Sequence, residues 1–435
     1  MKKLLVVLLA IIMCFAFVGC GGNDDPAPAP APGGDAPAAK PAGDAPASIK
    51  IGIPNPTTGA IASFGIGSPW AEELAIETVN ADGGVYLSAY DAKVPVELFI
   101  VDTESNPTKA SEVTQMLIQQ NEVDLLIARH TPDTALPVSA MAERFGVPCI
   151  SMECPVEAWQ AGGPYEWVYH SFWSIETCFE VYKSMWDALG YDPASTVVGY
   201  LFPNDADGLA WEPIFTDLCN KYGYTISDPG KYPIMNQDWT AVVSQFKKDG
   251  VTVVTGNDIA PDFSAFVAQA AQQGLKYEVV SLGRGFLFPA DANALDLSIA
   301  NGLTCEIWWS PWHPFDSSIT GQTCEELAGL YEEATGNPWS APMGYKYAGI
   351  ELALNVLERA GSLDADALVA AIGATDMDTV VGPIKYDAET HVSYTTLVGG
   401  QWQLNEAGKA VEIKCVTNHL YPEIPQNGEI FQPAW

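Results

Sequence analysis

Positive charge is what this 435-residue chain has least of. Lysine and arginine together number 20 against 54 aspartates and glutamates, for a formal net charge of −34. A surface of that sign repels phosphate backbones, which excludes nucleic acid as a partner. Charged residues of both signs make up only 17% of the chain, so the imbalance is a shortage of cations rather than a supercharged surface. The five histidines, His130, His170, His313, His391 and His419, are scattered. With no H-E-x-x-H and no cysteine pair at zinc spacing, neither a metal centre nor a cofactor is expected. A G-x-S-x-G elbow, a Walker phosphate loop and a strand-bounded G-x-G-x-x-G are missing too, and Gly65-Ile-Gly67 lacks the third glycine. Nothing in the chain asks for catalysis, so a non-enzyme is expected.

What is present begins with a leader. Met1-Lys-Lys followed by the apolar run Leu4 to Val18 has the charged and hydrophobic regions of an export signal, not of a mature membrane span. The run ends in Phe17-Val18-Gly19-Cys20, which resembles the bacterial lipobox, where a small residue and then cysteine mark cleavage and lipid attachment. Phe17 stands where leucine is usual, and the alternative is a plain secretory signal with an incidental cysteine. The expectation is a signal over 1–19, lipid attachment at Cys20 and an extracytoplasmic body held to the cell membrane. Loss of Lys2 and Lys3 with the signal takes the net charge to −36. Residues 20–47 are almost only Ala, Pro, Gly and Asp and cannot form a core. Extended at about 3.1 Å per residue, such a tether reaches at most roughly 80 Å.

From Ser48 onward strand and helix patterns alternate, which predicts an α/β fold with mainly parallel sheets. Strands are expected at 49–53, 94–102, 123–127, 147–151, 196–201 and 251–256. Helices are expected from Ser68-Pro69 to Asn80, from Asn106-Pro107 to Gln120, from a Thr134 cap to Phe145, and over 208–222, 238–248 and 262–274. In such sheets ligands lie beyond the carboxyl ends of the strands, so the loops Arg129 to Thr134 and Met152 to Pro155 should face a crevice. Seven cysteines follow Cys20, at 149, 154, 178, 219, 305, 324 and 415. The odd number leaves at least one thiol free. Cys305 and Cys324 flank one loop and are a candidate disulfide, and buried structural thiols are the main expectation.

Several segments, in order, resemble one family. They are Ile49-Lys-Ile-Gly-Ile-Pro-Asn-Pro-Thr-Thr-Gly59, Asn80-Ala-Asp-Gly-Gly-Val85, Asp102-Thr-Glu-Ser-Asn-Pro107, Gly146-Val-Pro-Cys-Ile-Ser151, Tyr345-Lys-Tyr-Ala-Gly-Ile-Glu-Leu-Ala-Leu354, Ala360-Gly-Ser-Leu-Asp364 and Gly382-Pro-Ile-Lys-Tyr-Asp387. Over 48–416 their order and spacing are similar to the type I periplasmic binding proteins, in the branched-chain amino-acid (Leu/Ile/Val) branch of ABC-transporter receptors. The resemblance implies two Rossmann-like lobes joined by a three-strand hinge and closing on a ligand between them. Lobe 1 is expected over 48–170 and 304–380, lobe 2 over 171–303 and 381–420, and a C-terminal tail over 421–435. It further implies a small-molecule ligand and ABC permease and ATPase subunits as partners, the alternative being a sensor that uses the same clamp to signal.

The crevice loops, the aromatics near them and the resemblance together give the ligand-binding candidates Arg129, Thr131, Thr134, Glu153, Cys154, Trp173, Asp205, Asp258, Arg284 and Trp309. In the family, the loop matching Thr131 to Thr134 supplies donors for a ligand carboxylate. Arg284, in Ser281-Leu-Gly-Arg-Gly285, stands where the family has the acid that holds an α-amino group, and Asp258 falls near a family tyrosine. An arginine suits a carboxylate instead, which predicts an anionic aromatic or branched solute, with a zwitterion as the alternative. The competing account pairs Arg284 with Glu153, Asp205 or Asp258. Aromatics crowd the predicted crevice at Phe64, Trp173, Trp211 and Trp308-Trp309-Ser-Pro-Trp312. They suit a bulky apolar solute or a quaternary ammonium.

Overall fold

The computed structural model describes residues 43–433. The signal, Cys20 and most of the tether therefore lie outside the described residues. Within them the chain builds two sheets. The first has six strands, all parallel, in the order Val392–Tyr394, Val168–Phe172, Cys149–Met152, Leu125–Ala128, Ile49–Asn55 and Val96–Asp102. The second has seven, in the order Val411–Thr417, Val398–Leu404, Thr304–Ile307, Val279–Leu282, Val253–Gly256, Val197–Leu201 and Thr225–Ser227. Its last five are parallel, and the first two form an antiparallel hairpin along its edge. Central strands such as Leu125–Ala128, Val253–Gly256 and Val279–Leu282 are buried at every residue, because helices cover both faces.

The chain passes between the sheets three times: after Phe172, after Ile307 and after Tyr394. These crossovers correct the expected boundaries. Thr304–Ile307, assigned to lobe 1, pairs with Val279–Leu282 and Val398–Leu404 in the second sheet, and Val392–Tyr394, assigned to lobe 2, pairs with Val168–Phe172 in the first. Strands of three or four residues carry too little pattern to reveal their partners, which tertiary pairing decides. The expected tail also belongs to the second lobe. Ile424 is fully buried, and Gln401 Nε2 donates to the Phe431 carbonyl at 2.9 Å.

Local signals fare as their chemistry dictates. Asn106 caps Pro107–Gln119, accepting from the Thr108 and Lys109 amides. The helix expected from a Thr134 cap instead runs Thr131–Phe145, with His130 at the cap position and Thr134 buried inside it. Ser68 is likewise displaced, since Pro69 holds the cap position of Trp70–Ala81 and the Ser68 hydroxyl donates to Glu72. All seven described cysteines are free and buried. Cys305 lies in a second-sheet strand, whereas Cys324 opens the helix Cys324–Thr335 and points its thiol at the Val380 carbonyl, 3.1 Å away, so the candidate disulfide is not formed.

Candidate functional site

The parallel strands of both lobes send their carboxyl ends toward one cleft. From the first lobe come Thr131, Glu153, Pro155, Phe172 and Trp173, with Phe64 from the turn after the first strand. From the second come Asp207, Trp211, Arg284, Leu287, Glu306 and Trp308. They enclose about 20 Å³, room for roughly one water. Roomier hollows, near Tyr277 and near Trp339, share no residue with this cleft.

The cleft loops carry backbone strain. His130, Thr131, Glu153 and Arg284 all have positive φ, at 70°, 59°, 55° and 61°. For a β-branched residue such as Thr131 that conformation is costly, and it persists only where the surroundings impose it. Here the Thr131 amide donates to the Glu153 carbonyl at 2.9 Å, tying the two first-lobe loops together.

Behind the first-lobe wall lies a buried charge cluster. Arg129 pairs with Glu72 and approaches Glu153 at 3.9 Å, and Lys346 Nζ donates to the Phe64 carbonyl at 2.7 Å. Burial pushes Glu153 up to about 7, against the pull of Lys346 and Arg129. Burial likewise lowers Lys346 to about 8, although Glu153 favours its charge. His130 Nδ1 sits 3.3 Å from Glu153, and its Nε2 donates to Asn55 Oδ1 at 2.9 Å. Burial, with Lys346 and Arg129 adding repulsion, holds it well below its ordinary value, so it is neutral and its contact with Glu153 is no ion pair.

Arg284 organises the second-lobe wall. Its Nε donates to the Asn257 carbonyl at 2.7 Å, one Nη donates to Asp205 at 3.0 Å and the other lies 3.4 Å from Asp207. Burial disfavours the cation, but Asp205, Asp207 and the first-lobe Asp133 outweigh it and keep the guanidinium charged. Asp207 is pushed up to about 7 by burial despite Arg284. Glu306 is pushed up to about 7 by burial too, despite a hydrogen bond from Tyr182. Thus, among the described residues, three carboxyl groups border the cleft, and the one cation on its wall, Arg284, is already matched by two acids.

The ten sequence candidates divide three ways. Thr131, Glu153, Trp173 and Arg284 border the cleft. Arg129, Asp205 and Asp258 stand behind it: Arg129 serves Glu72 and Glu153, Asp205 holds Arg284 and caps Ala206–Tyr222, and Asp258 accepts from Tyr232 at 2.8 Å. Thr134, Cys154 and Trp309 are off the wall. Thr134 packs within its helix, and Cys154 is buried with its thiol on the Pro155 carbonyl at 3.6 Å. Trp309 turns away from its neighbour Trp308. It lies on Gly344, where a Cβ would sit 2.3 Å from the indole, and donates to the Val380 carbonyl at 3.0 Å. Of the pairings weighed for Arg284, Asp205 is present, Glu153 and Asp258 are not, and Asp207 was overlooked. Phe172, Leu287 and Glu306 were overlooked as well. A glutamate inside the apolar strand Thr304–Ile307 was the one legible signal among them.

Known proteins agree with this architecture. Residues 48–409 match the periplasmic binding protein family. A Leu/Ile/Val-binding protein homolog of Brucella abortus is 23% identical over 386 residues, covering 86% of this chain and 91% of the relative. A branched-chain amino acid transporter substrate binding protein from Streptococcus pneumoniae, solved with isoleucine, superposes with a TM-score of 0.70 at 19% identity, covering 85% of this chain and 99% of that one. An ABC-transporter solute binding protein from Rhodopseudomonas palustris BisB5, solved with 3,4-dihydroxybenzoic acid, superposes at 0.68 with 20% identity, covering 84% and 95%.

Proposed function

The chain belongs to the periplasmic binding protein family, in its type I branched-chain amino-acid branch, and from that membership we propose that it is the extracytoplasmic receptor of an ABC importer. It closes its two lobes on a small organic solute, amino-acid-like or an aromatic or branched carboxylate, and delivers that solute to permease and ATPase subunits. Relatives solved with isoleucine and with a dihydroxybenzoate support both solute classes. The observation that carries the reading is a set of buried polar atoms without hydrogen-bond partners on residues that line the cleft from both lobes. Thr131 Oγ1 and both Glu153 oxygens come from one lobe and Asp207 Oδ1 from the other, beside the Arg284 Nη that is ion-paired with Asp207 at 3.4 Å without a hydrogen bond. Buried polar groups are normally satisfied, so donors and acceptors left without partners along one cleft suit a ligand with polar groups of both kinds. This favours the amphoteric solute over a simple anion, because Arg284 already has its carboxylates. Lipid attachment at Cys20 keeps the receptor beside its permease.

With only about 20 Å³ between them, the lobes must part to admit any such solute, and hinged closure is the motion that two lobes joined by crossovers allow. Small-angle scattering of the purified chain, stripped of solute and then saturated with whatever native mass spectrometry finds retained, is expected to report compaction. Identical curves would count against the clamp. Solute uptake by the producing cell should fall when the gene is deleted; unchanged uptake with a lost cellular response would make the protein a sensor.

A further inference from the structure

The head group of the solute is written in the cleft's walls. Five of its twelve bordering residues are aromatic. Trp173 and Trp211 meet at 89° with centroids 5.7 Å apart, and Phe172 and Trp308 at 83° and 5.0 Å. Perpendicular planes make adjoining walls of a box rather than a stack. The same cleft is lined by Glu153, Asp207 and Glu306, each no more than 3% exposed. Gly283 brings two of these features together, since a Cβ there would come within 3.2 Å of a Glu306 oxygen and 3.3 Å of the Trp211 ring. Both Glu153 oxygens and one of Asp207 lack partners. Arg284, the one cation on the wall among the described residues, is held by Asp205 and Asp207.

Ring faces carry negative quadrupole charge, and carboxylates in a water-poor site act at longer range than in solvent. A primary ammonium could donate to the unpartnered oxygens of Glu153 and Asp207, but it offers the five aromatic rings no apolar surface to cover. A phenolic or aliphatic acid adds negative charge to a place already acidic. A quaternary ammonium has no N–H donors, a greasy surface and a full positive charge. Resting on the receptor reading above, we propose that this cleft takes a solute with an N-methylated ammonium head, seated among Trp173, Trp211 and Trp308 with Glu153, Asp207 and Glu306 as its counter-charge.

The test is calorimetry and intrinsic tryptophan fluorescence on the purified full chain in detergent, with choline, glycine betaine, leucine and 4-hydroxybenzoate as probes. Choline or glycine betaine is expected to bind at least about tenfold more tightly than the other two. Preference for choline identifies a simple cation, and preference for glycine betaine a zwitterion whose carboxylate meets Thr131 and Arg284. Leucine or 4-hydroxybenzoate binding with neither ammonium compound overturns this inference while leaving the receptor reading intact. Binding by none of the four overturns it too, and the receptor reading then stands or falls on its own scattering test. Asp207→Asn and Glu306→Gln, each nearly isosteric, should weaken the ammonium probe at least about fivefold, Glu306→Gln without a fall in melting temperature because Glu306 has no cationic partner to leave unpaired. Unchanged affinity in both variants refutes the assignment.

Discussion

Arg284→Ala tests whether the second-lobe wall is held by one cation between acids. The guanidinium is 5% exposed, and its partners Asp205 and Asp207 are 9% and 4% exposed, so the substitution leaves two carboxyl groups uncompensated and removes the bond to the Asn257 carbonyl. Breaking a buried pair by removing one partner costs about 3–5 kcal/mol. With an unfolding entropy of about 2.1 cal/mol/K per residue over roughly 390 residues, that corresponds to a fall of about 4–6 °C in melting temperature if the body melts as one unit. Asp207 is already pushed up to about 7 by burial, and loss of Arg284 raises it further. An acid whose folded pKa lies above its unfolded value loses stability as pH rises through that range. The deficit should therefore be larger at pH 8 than at pH 5. The double variant Arg284→Ala, Asp207→Asn should regain part of the loss, with a coupling of about 1–3 kcal/mol. Scanning calorimetry of the four proteins at both pH values measures all of this. An Arg284→Ala protein melting within about 1 °C of the parent at pH 8, with no rescue in the double variant, would refute the argument.

Other perturbations separate wall from support. Trp309→Ala should cost about 3–5 kcal/mol of stability yet leave solute affinity intact in the folded fraction, whereas Trp308→Ala should weaken binding; denaturant titration beside calorimetry distinguishes them. Glu306, pushed up to about 7 by burial, is less stabilising once ionised, so Glu306→Gln should melt higher than the parent at pH 8 by roughly 1–3 kcal/mol, the difference vanishing near pH 4.5. A cationic head favours the ionised forms of Glu153, Asp207 and Glu306, so its binding should release protons and tighten from pH 6 to pH 8. An anionic solute gives the opposite slope, read from binding heats in buffers of different ionisation enthalpy. Cys20→Ala should free the protein from the membrane or stall its precursor, and fractionation finding it still firmly membrane-bound would end the lipid-anchor reading.

The sequence by itself determined the class of this protein, because that depends on local patterns in a fixed order. Apolar runs too short for helices, the Asn106-Pro107 cap and repeated strand-helix alternation give an α/β fold with mainly parallel sheets and place cleft loops at Arg129–Thr134 and Met152–Pro155, while the two lobes and the Ser281–Gly285 loop came from the order of family-like segments. What only tertiary structure decided is which side chains meet there. Trp308 and Trp309 are equivalent in sequence, yet one faces the cleft and the other packs on Gly344, since successive residues leaving a strand point to opposite sides. The sequence left Arg284 open between a solute carboxylate and an acidic partner, because Asp207 and Asp205 lie 77 and 79 positions away and come together with it only when Val197–Leu201 and Val279–Leu282 flank the same central strand. The sign of the cleft is a sum over both lobes, and no single segment of the chain contains it.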